Sequence, residues 1–119
     1  MTIKECYDIM GDDYESVLKR FGSEALVERF ALKFENEQSY NNLKENLEQK
    51  NLDEAFRAAH TLKGVCLNLG FGSVYEPSSQ ITEILRAGSF DGVDKYMPDL
   101  EEKYNKLIEA LENFKKSKN

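Results

Sequence analysis

Residues 52–70 read LDEAFRAAHTLKGVCLNLG, and this stretch decides the fold. Leu52, Ala55, Ala59, Leu62, Cys66 and Leu69 recur at alternating steps of three and four, the period of one face of an α-helix. Asn51 followed by Glu54 resembles a capping box at the start of the stretch. Gly70 falls just past the last apolar residue, where a helix ends on a left-handed backbone. A helix with one apolar stripe has to bury that stripe against something else, so the rest of the chain must supply partners.

Those partners are legible on both sides. Leu26, Val27, Phe30 and Phe34 repeat the helical step, as do Tyr40, Leu43 and Leu47. Leu100, Tyr104, Leu107, Ile108, Leu111 and Phe114 form a last stripe. The pattern predicts main helices near 24–36, 39–50, 52–69 and 91–115, shorter ones near 2–9 and 13–21, and one near 74–87 that is a candidate bundle member. Gly22-Ser23 reads as a stop and a cap, Ser39 as an N-cap, Gly88 as a C-terminal glycine, and Asp91-Gly92 as a turn. Pro77 makes the 74–87 helix start late or bend, and Pro98 either opens the last helix or kinks a longer one. The expected fold is all-α, an up-down four-helix bundle with additional short N-terminal helices. One domain is expected over 1–119, with 1–22 a helical extension and 23–116 the bundle core.

Composition narrows the chemistry. The 119 residues carry 22 Asp and Glu against 16 Lys and Arg, a formal charge of −6, which argues against a nucleic-acid partner. With 40% hydrophobic and 32% charged residues the chain reads as a soluble globular protein. No apolar run approaches the ~20 residues of a membrane span. Charged residues from Lys4 to Arg20 interrupt any leader-like segment, so a cytoplasmic location without membrane association is expected. One histidine and two cysteines do not make a structural zinc site or a disulfide framework. Cys6 and Cys66 read as reduced thiols, Cys66 as a buried helical residue. A di-iron bundle fails for want of a second histidine, and neither Asp12-Asp13 nor Asp91-Gly92 supplies an EF-hand ligand pattern.

Any imidazole chemistry must run through His60. At 100° per residue it lies roughly 120° around the helix from the middle of the apolar stripe, on a flank that solvent reaches. Lys63 and Gly64, at +3 and +4, lie beside it, and Leu67 follows one turn later. Glycine within a helix costs ~1 kcal/mol relative to alanine. Gly64 therefore allows either a partner's approach over the imidazole or close packing of a second helix. An imidazole with an ordinary pKa near ~6.5 is largely unprotonated and nucleophilic at neutral pH. A phosphoryl group on it would need a cation one turn away, and Lys63 suits that role. The alternative is a pair of ordinary surface side chains.

The run AHTLKG followed by NLG resembles the signature of the histidine-containing phosphotransfer (HPt) domain, at Ala59, His60, Leu62, Lys63, Gly64, Leu69 and Gly70. The resemblance extends over roughly 20–115, including the lead-in NLDEAFRAAH and the ILRAG that ends at Gly88. It implies a phosphorelay intermediate on a four-helix bundle. His60 would accept a phosphoryl group from an aspartyl phosphate of a response-regulator receiver domain and pass it to another receiver. Lys63 would interact with the phosphoryl oxygens, and Gly64 would give clearance to the partner. Val65 and Leu67 are larger than the small residues frequent in the family at those positions, and Leu67 with Phe56 and Phe71 forms a candidate docking patch. Gly70-Phe71-Gly72 is a lone GxG at a helix end and no phosphate cradle, so a phosphocarrier without ATP binding or autokinase activity is expected. No cofactor of its own is expected; Mg²⁺ is expected on the receiver. The implied partners are receiver domains and a hybrid histidine kinase, with the chain itself a monomer. The competing reading is a helical interaction module that never carries phosphate.

Overall fold

Seven α-helices make up the regular structure of residues 1–118, which the computed structural model describes: α1 (Ile3–Met10), α2 (Tyr14–Phe21), α3 (Glu24–Lys33), α4 (Ser39–Glu48), α5 (Leu52–Leu69), α6 (Gly72–Arg86) and α7 (Val93–Ser117). A 3₁₀ turn, Phe34–Asn36, extends α3, and no strand occurs among the described residues. The central packing is α5 against α4 on one side and α6 on the other, with α7 laid against α6 and α1. The 74–87 segment is thus a full member of the bundle. Helix α3 lies more lightly against α5 and α7 and closes on α2.

The stripe that predicts α5 is its buried face. Ala55, Ala59, Leu62 and Cys66 are fully enclosed and Leu69 nearly so, while Leu52 at the start is half-buried. Facing them are Leu43, Val74, Ile81, Leu100, Leu107 and Phe114, all buried in the same core. The N-terminal helices contribute Ile3, Cys6, Tyr7, Tyr14 and Val17 to that core. Tyr40 stacks on Tyr104 with ring centroids 3.8 Å apart.

Caps explain most boundaries. Thr2 and Glu5 form a reciprocal capping box, and Asp13, Ser23 and Asn51 each accept a hydrogen bond from a backbone N–H three residues on. Ser39 departs from expectation: it is the first helical residue and not the cap. The Glu37 carboxylate accepts from its N–H at 3.1 Å, and its own hydroxyl is buried without a partner. Both prolines lie inside continuous helices. Pro77 is the sixth residue of α6 and Pro98 the sixth of α7, so each removes one early i→i−4 bond without ending its helix. Helix α6 therefore starts at Gly72, ahead of Pro77 and not after it, and α7 runs through Pro98.

The corner between α5 and α6 is held from outside by the N-terminal helices. The Tyr7 hydroxyl donates to the Leu69 carbonyl at 2.6 Å, and the Arg20 guanidinium donates to the carbonyls of Leu67 and Asn68. They lie in the last turn, whose carbonyls lack i→i+4 partners, although Leu67 also accepts from the Gly70 N–H. Across the turn, the Asp12 carboxylate accepts from the N–H and hydroxyl of Ser73 at 2.8 and 3.0 Å, serving one orphan backbone donor of α6. Burial pushes the Asp12 carboxyl above its ordinary pKa, outweighing the Ser73 hydrogen bonds that lower it.

Gly70 makes the corner possible. Its φ is 71°, and a Cβ there would run into the Val17 side chain. Gly70→Ala should therefore cost more than about 2 kcal/mol, from left-handed strain of ~1–2 kcal/mol plus overpacking. Urea denaturation checks this, and an unchanged midpoint would contradict it. A second expectation concerns the thiols. Burial pushes Cys6 up to about 11, with Glu5 adding to it, and raises Cys66 further. Both are free and enclosed. Iodoacetamide at pH 8 should modify neither in the native protein and both in urea; rapid native labelling would contradict the packing.

Candidate functional site

Because α5 buries the stripe from Ala55 to Leu69, its opposite flank is presented outward, and His60, Gly64 and Leu67 are all exposed on it. Leu67 is 55% exposed, one of few large apolar side chains so open. Phe56, one turn before His60, is half-buried and lies parallel to the imidazole, ring centroids 5.8 Å apart at 15°. The imidazole stays exposed alongside this ring.

Lys63 is drawn down rather than extended. Its side chain is 22% exposed and its Nζ lies 3.7 Å from the Glu83 carboxylate on α6. Glu83 also holds Arg86, through Nε at 3.2 Å, and the Arg86 guanidinium sits over the Phe56 ring, 5.1 Å from its centroid. A continuous set of contacts thus runs His60–Phe56–Arg86–Glu83–Lys63, joining α5 to α6. It links two cations and one carboxylate to the ring that stacks on the imidazole.

Gly64 resolves between its two readings. An added Cβ would meet nothing within 4 Å, so no second helix of the bundle packs there. The glycine is not needed for the fold.

Phe71 must be removed from the docking patch. It is 1% exposed, with its ring 5.2 Å from that of Tyr7 and 5.3 Å from that of Phe34. The reason is the left-handed turn at Gly70, which swings the chain inward and makes Phe71 the residue that precedes α6. Phe56 and Leu67 remain on the surface beside His60. Glu83 and Arg86 are additions that the sequence reading missed. The signal for them was an i,i+3 acid–base pair near the end of the helix that follows the Gly70 turn.

The site is thus a helix bearing one exposed imidazole, with an open glycine one turn on and a lysine tied to the neighbouring helix. The Hpt domain family model matches residues 31–114, from within α3 to near the end of α7. The chain belongs to the Hpt domain family. No curated protein and no solved structure matches it. Hpt domains serve histidine phosphotransfer in the phosphorelays of two-component signalling, and α4, α5 and α6 lie wholly within the matched span.

Gly64→Ala should leave stability unchanged or raise it by up to ~1 kcal/mol, because the new methyl meets open space and the helical propensity improves. Gly64→Leu should likewise stay folded. Chemical denaturation reads both, and a loss above ~1 kcal/mol in the alanine variant would show hidden packing at this position.

Proposed function

We propose that this protein is a phosphorelay intermediate whose carrier atom is a ring nitrogen of His60. The observation that carries the reading is the exposure of His60 beside an open glycine and a tethered lysine, on a helix that lies wholly within the family match. The unprotonated ring nitrogen attacks the phosphorus of an aspartyl phosphate on a receiver domain. The N–P bond forms as the P–O bond breaks, and the bonding pair leaves with the receiver's carboxylate. The other ring nitrogen keeps its proton. Transfer onward reverses these events on a second receiver.

Lys63 lies one turn away and offers a mobile ammonium to the phosphoryl oxygens. Gly64 leaves clearance for the receiver's loops, and Leu67 with Phe56 gives the partner an apolar rim to dock against. The magnesium that such transfers use is assigned to the receiver, since phosphoryl transfer rests on positioning and charge stabilisation that the two proteins share between them. No helix of the described residues is long and apolar enough to cross a membrane. We assign the chain a monomeric role in the cytoplasm.

The test is to mix the protein with phosphorylated receiver domains and follow label that is labile to acid and stable to base. Wild type should take it up, His60→Gln should fall to background, and Gly64→Leu should fold yet lose at least about tenfold in transfer, equivalent to ~1.4 kcal/mol of docking. Label retained in His60→Gln would overturn the assignment. Tight receiver binding with no label at all would favour an interaction module.

A further inference from the structure

Glu83 is the one acidic side chain linked to both cations of the site, and nothing in the transfer chemistry calls for it. Its carboxylate is 3.7 Å from Lys63 Nζ and 3.2 Å from Arg86 Nε, while its own side chain is half exposed. It comes from α6, so it joins the nucleophile's helix to its neighbour. Lys63 stays only 22% exposed while so engaged, turned toward a partner it would have to release in order to reach a phosphoryl oxygen.

From this geometry we infer that Glu83 is a positioning residue that acts through Lys63 and Arg86: it holds both cations in the unphosphorylated protein and yields them to the phosphoryl group once His60 carries it. The inference rests on His60 being the phosphoacceptor. A carboxylate and a phosphoryl group are the same kind of ligand for an ammonium or a guanidinium, both anionic oxygen acceptors, and the phosphoryl group carries more charge. Exchange of one for the other keeps the cations paired in either state. The lysine and arginine are thereby held between α5 and α6 instead of ranging through solvent. The same exchange makes His60 a weaker phosphoryl holder than it would be with free cations, because each phosphorylation must first break the Glu83 pairs. A relay carrier benefits from that balance, since it must give up what it takes.

The alternative for Glu83 is an ordinary surface pair that ties α5 to α6 and has no bearing on phosphate. The two differ in what Glu83→Gln does and in whether the effect needs Lys63. Phosphoramidate, a small phosphoryl donor to imidazoles, serves as the probe on the full chain, with formation and decay of phosphohistidine followed by ³¹P NMR. Glu83→Gln should raise the steady phosphorylated fraction ratio about two- to fivefold, the range for a partly exposed ion pair. Lys63→Ala should lower it. In the double variant Lys63→Ala, Glu83→Gln the gain should shrink to less than half. Circular dichroism of each variant should match wild type.

A Glu83→Gln protein that folds and gains nothing overturns the inference. So does a gain retained in full without Lys63, which would make Glu83 a bulk charge and not a holder of that cation. Failure of His60 to accept phosphate in any variant, wild type included, is a different result and overturns the reading on which this one rests.

Discussion

Helix α5 has to bury one face completely, and at 100° per residue that requirement fixes the direction of every other side chain on it. Ala55, Ala59, Leu62 and Cys66 are fully enclosed, and their burial turns His60, Gly64 and Leu67 outward as a set. A side chain such as Leu62 contributes roughly 1.5–3 kcal/mol by leaving water, far more than any orientation preference of an exposed imidazole. The imidazole is therefore aimed by the core. Small residues at Ala55, Ala58 and Ala59 keep the neighbouring helices close to this segment, so the aim is stiff.

The N-terminal helices serve the same end from a distance. Tyr7 and Arg20 occupy the last carbonyls of α5, and Asp12 takes the N–H and hydroxyl of Ser73 at the start of α6. Together with the left-handed Gly70 they fix the angle between the two helices that carry the site. That angle in turn sets whether Glu83 and Arg86 of α6 reach Lys63 and Phe56 of α5. Local capping is thereby connected to the electrostatics around His60 through one rigid corner.

Much of this was legible in the residues. The 3–4 spacing of α5 located its buried face and hence the exposed flank, and the glycines and polar caps set boundaries to within a few residues. Three features escaped for physical reasons. Pro77 and Pro98 looked like helix starts or kinks, yet each costs one hydrogen bond within the first two turns, which packing of Val74, Ile81, Val93 and Leu100 outweighs. Phe71 was grouped with Leu67 and Phe56 on the surface, but the positive φ at Gly70 redirects the chain and buries its ring. The Glu83 link could not be read because it joins two helices whose relative height depends on the turn between them. Open space at Gly64, likewise, is a property of the neighbours and not of the glycine.

The central claim is that a ring nitrogen of His60 holds the phosphoryl group between two receivers. The most direct measurement is NMR of ¹⁵N-histidine-labelled protein after exposure to a phosphorylated receiver and separation from it. One phosphorus–nitrogen coupling on the single imidazole, lost when a second, unphosphorylated receiver is added, is the predicted result. A phosphoryl group found on any other side chain, or a receiver that turns over while the imidazole stays unmodified, would contradict it.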